Sequence, residues 1–129
     1  MRKIVVDTNV LVSALLSPKG KPAQILALIL NEQVTVCYDS RIMLEYETVL
    51  SRSKFPFESQ DISALINKVL KTGISIIPMP SELEFSDRDD KKFYDAAKGA
   101  GVYLVTGNRK HFPDEPCIIS SADFLEIRG

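Results

Sequence analysis

Asp7, Glu45, Asp90 and Asn108 are the residues best placed, by type and spacing, to do chemistry together. Asp7 closes the β-branched run Ile4-Val5-Val6. Glu45 interrupts an apolar stripe of Ile42, Tyr46 and Val49 at helical i, i+3, i+4, i+7 spacing. A carboxylate there conflicts with burial, because Glu is almost never buried without a partner or a metal. Asp90 ends the acidic helix opening Asp87-Arg88-Asp89-Asp90, and Asn108 closes the turn Thr106-Gly107-Asn108. Gathered in one crevice, such acids repel and stay ionised only beside a divalent cation. Oxygen donors with no His or Cys cluster point to Mg2+ or Mn2+. A carboxylate-held pair of these ions suits phosphodiester hydrolysis, one ion activating water and the other supporting the leaving oxygen. Taken singly, each residue has a plainer role. Asp7 caps the following helix, Glu45 pairs at the margin of its stripe, the aspartates favour a helix start, and Asn108 serves the turn.

Alternating strands and helices must position these groups. Ile4-Val5-Val6 reads as a strand buried on both faces, followed by a helix carrying Val10, Leu11, Ala14 and Leu15. Ser17 to Pro22 is a loop, with Pro22 suited to the first turn of a helix over Ala23 to Asn31. Val34 to Tyr38 is a second strand, Ser40 an N-cap, and Arg41 to Ser51 the helix bearing Glu45. Gln60 to Lys71 is amphipathic, with Gly73 as its C′ residue and Ile74 to Ile77 as a third strand. The acidic-start helix buries Phe93, Ala96, Ala97 and Ala100 and ends at Gly99 and Gly101. Val102 to Val105 is a fourth strand, Ile118-Ile119 a fifth, and Ser121 caps a last helix through Glu126. This alternation argues a parallel sheet covered on both faces, where acids at strand carboxyl ends meet at the switch point.

Composition bounds the rest. The 129 residues are expected to form one domain, 1–129, with a core that needs no staples. Cys37 and Cys117 read as reduced core thiols. The apolar opening contains Asp7 and no small-residue cleavage site, so no signal peptide is expected. The longest apolar run, Ile25 to Leu30, is too short for a bilayer. These features imply a cytoplasmic protein without a membrane partner. A formal net charge of −1 does not announce nucleic acid. A polyanion would need a local basic patch or bound cations.

Val5 to Ala14, Leu44 to Leu50, Asp87 to Phe93 and Leu104 to Asn108 together resemble the PIN domain family, in order and spacing. More narrowly they resemble its VapC-like branch of toxin–antitoxin systems. The resemblance implies a three-layer α/β/α sandwich with a central parallel five-stranded sheet of order 3-2-1-4-5. It also implies a metal-dependent ribonuclease, with RNA as substrate, an antitoxin protein as partner, and a homodimer. By motif position Asp7, Glu45 and Asp90 match the family's acidic, metal-holding residues. Asn108 stands where the family usually carries Asp, so a second ion is expected to bind more weakly and activity to be lowered. Thr106 matches the small hydroxyl residue before it and Asn9 the polar residue of the opening motif. Both are expected to support the ligands from behind, with Asp87 as a further outer acid.

Lys91 and Arg109 are the first candidates to hold substrate phosphates. His111 reads as loop surface. Other acidic α/β enzymes fit less well. A haloacid-dehalogenase-like phosphatase wants Asp where Asn9 stands, and a receiver domain wants Asp where Pro78-Met79-Pro80 stands. The competing class is a PIN-like RNA- or protein-binding domain with a decayed site.

Overall fold

Five parallel strands form the centre of the molecule in the order β3-β2-β1-β4-β5, the order that the resemblance implies. The computed structural model describes residues 2–85 and 88–128. In chain order the strands are β1 (Arg2–Val6), β2 (Val34–Tyr38), β3 (Ile74–Ser75), β4 (Tyr103–Val105) and β5 (Ile118–Ile119). The flanking helices are α1 (Thr8–Leu16), α2 (Lys21–Leu30), α3 (Ser40–Leu50), α4 (Ser59–Thr72), α5 (Arg88–Ala100) and α6 (Ser121–Arg128). A 3-10 turn spans Arg109–His111. No helix among the described residues is long and apolar enough to cross a membrane.

Burial on both faces explains the apolar runs. Ile4, Val5 and Val6 on β1, and Leu104 and Val105 on β4, are fully buried. Each such side chain contributes about 1.5–3 kcal/mol. α5 packs on β1, β2 and β4, and α2 packs on β2, α1 and α6. The β-branched centre of β1 therefore locks the strand that carries Asp7 at its end.

Several local expectations change. Ser40 is not the cap of α3: Asp39 is, accepting from Arg41 N at 2.9 Å and Ile42 N at 3.0 Å. Ser120, not Ser121, serves α6, its hydroxyl accepting from Asp123 N at 3.1 Å. α5 runs through Gly99 and stops before Gly101, whose φ of +68° is the left-handed turn a glycine adopts without strain. Gly73 has extended backbone, not a left-handed cap. Its need is space: a Cβ there would lie 2.4 Å from Val69 O and 2.6 Å from Val36 O. β3 pairs for two residues only, after which Ile77 and Met79 are exposed beside prolines. Proline supplies no N–H to a ladder. Cys37 on β2 and Cys117 just before β5 are both free thiols, as their separation across the sheet requires.

The loop after β3 is tied to α5 by Asp95. Its carboxylate is 2% exposed. It lies 2.7 Å from Lys91 Nζ and accepts from Ser81 N at 3.1 Å, while Lys91 also donates to Ser81 O at 2.8 Å. Burial pushes this carboxyl up, but Lys91 and Ser81 together outweigh it and hold the group below its usual value. A lowered folded value means stability present above the unfolded value and lost as pH falls through the folded one. Asp95→Asn is therefore expected to cost about 1–3 kcal/mol at neutral pH. The difference from wild type should shrink once the pH drops below about 4. Urea denaturation at pH 7 and pH 3 checks this; a pH-independent difference would contradict it.

Candidate active site

β1 and β4 are adjacent and parallel, with Val6 paired to Val105. The next residue on each strand is Asp7 and Thr106, so the register itself sets them side by side. Thr106 Oγ1 donates to Asp7 Oδ2 at 2.7 Å, and Asp7 N donates to Val105 O at 2.9 Å. Asp7 Oδ1 accepts from Asn9 N at 3.4 Å, which is the helix-cap role in its weak form. Asp7 is 3% exposed. Burial pushes its carboxyl up; the Thr106 and Asn9 hydrogen bonds oppose this, the Glu45 charge adds to it, and the Lys92 charge opposes it. This point lies between β1 and β4, where the strand order reverses direction and crevices form.

α3 brings Glu45 to the same place. Asp39 starts the helix, and about two turns on, Tyr46 is fully buried with its hydroxyl donating to Val6 O at 2.5 Å. That bond fixes α3 to the last residue of β1. Burial first, then the Asp7 and Glu45 charges, push the Tyr46 phenol well above its usual value, so it remains a proton donor. Glu45 Oε2 accepts the Thr8 hydroxyl, and Glu45 Oε1 lies 2.6 Å from Lys92 Nζ. Glu45 therefore does break the apolar stripe with a partner, as its burial demands.

Asp90, in the first turn of α5, has its Oδ2 3.2 Å from His111 Nδ1. Asn108 stands after β4, its backbone N–H donating to Thr106 Oγ1 at 3.0 Å. The Thr106 hydroxyl thus links Asn108 to Asp7. Its full burial reflects that double duty.

Asp7, Thr106 and Asn108 are joined by hydrogen bonds, and Glu45 is near enough for its charge to act on Asp7. Asp90 faces His111. Asn9 is exposed and reaches Asp7 through its backbone. Asp87 lies outside the described residues. Lys91, expected at a phosphate, is instead held on Asp95 and Ser81. The cation in the crevice is Lys92, one residue on. Arg109 is half-exposed, 3.9 Å from Asp123 and 4.0 Å from Asp114. The sequence ranks Lys91 ahead of Lys92 among the cations and places His111 on the loop surface; Thr8 and Tyr46 carry no site signal in it. A partial signal existed for the lysines. Lys91 stands four residues before Asp95, an i, i+4 pair, while Lys92 stands four before the buried Ala96 and so flanks the apolar face of α5.

Two grooves flank the acids. One of about 440 Å3 is lined by Arg41, Glu45, Thr48, Arg52, Asp89 and Lys92. The other, about 450 Å3, is lined by Thr106, Asn108, Arg109, Lys110, His111 and Ser120. Both set cations beside the acidic centre, which suits a phosphate chain despite the overall charge. A larger cavity of about 590 Å3 opens at the opposite strand ends, by Arg2, Lys3, Lys98 and Tyr103, and contains none of the acids.

The donor set fits a hard divalent cation in its chemistry. Asp7, Glu45, Thr106 and Asn108 offer oxygen only, and a buried carboxylate raised by a neighbouring one is relieved by positive charge. The side chains as they stand are not a closed cage. Among the described residues no three His, Cys, Asp or Glu converge closely enough to hold a metal ion. This departs from the expected convergence of Asp7, Glu45 and Asp90. Glu45 is turned to Lys92 and Asp90 to His111, so a cation would have to redirect at least one of them.

A family model described as PIN domain matches residues 3–110. An uncharacterized protein of Methanocaldococcus jannaschii is 32% identical over 118 residues, spanning 83% of this chain and 71% of that protein.

Proposed function

The chain belongs to the PIN domain family, and from that premise we propose that its acidic crevice is the centre of a metal-dependent endoribonuclease. PIN domains are generally nucleases, and those nucleases generally use divalent metal ions. The observation that carries the reading is Asp7: a buried carboxylate at the switch point, aimed by Thr106, with Glu45 near enough to raise it. Asp7 and Glu45 would hold the ion, Mg2+ or Mn2+, and Asp90 would complete the set. When bound, the ion supplies an activated water and stabilises the leaving oxygen of the phosphodiester. The chain's own residues do the positioning. Thr106 orients Asp7, Tyr46 fixes Glu45's helix to β1, and the cations of the two grooves hold the flanking phosphates.

By resemblance to the VapC-like branch, the protein acts in the cytoplasm as the toxin of a type II pair, as a homodimer restrained by an antitoxin. Expression should then arrest growth, and co-expression of a small DNA-binding neighbour should relieve it. The nuclease reading is tested with purified protein and end-labelled RNA. Cleavage is expected with Mn2+ or Mg2+, is abolished by EDTA, and falls at least about 100-fold in Glu45→Gln. Equal cleavage by that variant would overturn it. Asn108 favours a second reading, a weakened domain that binds RNA. Metal-independent retention of RNA without cleavage would select it.

A further inference from the structure

Both carboxylate oxygens of Glu45 are engaged, Oε2 by the Thr8 hydroxyl and Oε1 by Lys92 Nζ at 2.6 Å. The Lys92 side chain is 11% exposed and that of Glu45 22%, so water and salt screen this pair far less than a surface one. A lysine ordinarily keeps its ammonium in water. This one is folded inward, donating to Asp89 O at 2.6 Å and lying 5.0 Å from the centre of the Phe93 ring. Its charge also reaches Asp7, where it opposes the effects of burial and of Glu45. Lys91, the preceding residue, shows no such placement and serves Asp95.

We propose that Lys92 is the resident cation of the acid centre, and that a divalent ion takes Glu45 only by displacing it. This rests on the metal-dependent reading above. The Thr8 hydroxyl is neutral and can stay or turn when Glu45 changes partner. An ammonium in contact with the same carboxylate cannot stay, because a dication beside it is a like charge in a poorly screened place. Metal binding is then a cation exchange at one carboxylate. The released ammonium faces the groove lined by Arg41, Thr48 and Arg52, where it would meet a substrate phosphate. The exchange makes metal affinity weaker than the acids alone would give, and it keeps Glu45 compensated at every stage.

The test uses Mn2+ alone. Titration calorimetry should show Lys92→Met binding Mn2+ roughly tenfold more tightly than wild type. Lys92→Arg, which keeps the charge, should bind no more tightly than wild type. The Met variant should melt lower without metal and gain more from Mn2+. A merely structural lysine predicts weaker binding in both variants. Equal or weaker binding by Lys92→Met overturns the proposal. The unmutated protein gives a second measurement that no folding defect can spoil. Reductive methylation followed by mass spectrometry should label Lys92 faster when Mn2+ is present; unchanged labelling under saturating Mn2+ overturns the proposal. Asp7→Asn separates the two failures. If Mn2+ binds wild type through Asp7 but binds Lys92→Met equally, only the exchange fails. If no protein binds Mn2+, the metal reading fails and the exchange with it.

Discussion

Asp7→Asn is expected to lower metal-dependent RNA cleavage by roughly 10^3-fold or more, while leaving the protein at least as stable as wild type at neutral pH. The two halves of this result come from the same burial. Asn keeps the shape of Asp: its one carbonyl oxygen can accept from Asn9 N, and its amide NH2, in place of Oδ2, can donate to the Thr106 hydroxyl oxygen. It is also an equally good helix cap. What it removes is the charge, and with it the principal anionic ligand of the crevice. That charge is costly to the fold, because burial first and Glu45 second hold the Asp7 carboxyl above its usual value. A raised carboxyl contributes stability that is full below the unfolded value, near 3.9, and is lost as pH rises through the higher folded value. At pH 7 wild type has therefore lost it, whereas Asn does not titrate. The gain in stability of Asp7→Asn should be present at pH 7 and vanish in acid below about pH 4. Cleavage rates with Mn2+ and urea midpoints at both pH values check the pair. If Asp7 were a helix cap and nothing more, activity would survive the substitution.

The features legible in the sequence are those that depend on local pattern. The run Ile4-Val5-Val6 had to be a two-sided buried strand, and an acid directly after it had to stand at a carboxyl end of the sheet. The register Val6 to Val105 then made Asp7 and Thr106 neighbours. Glu45 was visible as a contradiction within its own stripe. The strand order came from the resemblance, since alternation of elements alone permits other orders.

What escaped depends on pairs distant in sequence. Lys91 stands at i, i+4 to Asp95 on its own helix, but the partner of Lys92, Glu45, lies on α3, and only the packing of α5 on α3 brings the two together. Tyr46 read as core, and its hydroxyl found Val6 O because β1 ends beneath it. The role of Gly73 was misread for the same reason. A helix end suggests a left-handed glycine, but the closeness of Val36 O on β2, which excludes a side chain there, is a tertiary fact. His111 is loop surface, as its sequence suggested; what the sequence did not show is that the 3-10 turn sets it against Asp90.

Restoring the family's carboxylate with Asn108→Asp is expected to raise Mn2+-dependent cleavage about tenfold and to shift half-maximal activity to lower Mn2+ concentration. An amide oxygen can ligate or orient water, but it brings no charge, and the affinity of a hard cation rises with the charge count of its ligands. Asn108 is well placed for the change. Its backbone donates to the same Thr106 hydroxyl that donates to Asp7, so a carboxylate there would join the Asp7 side of the crevice. Without metal the added charge stands near Asp7, whose carboxyl burial first and Glu45 second already push up, and it should lower the melting temperature. Mn2+ should then recover more stability in Asn108→Asp than in wild type, since ligand that binds only the folded state stabilises it in proportion to affinity. Cleavage rate against Mn2+ concentration, with melts in Mn2+ and in EDTA, measures all three effects. A destabilised variant with no gain in cleavage at any Mn2+ concentration would mean that the missing charge at position 108 does not limit the reaction. The limit would then lie with the acids already present, and the exchange of Lys92 at Glu45 would be the first place to look for it.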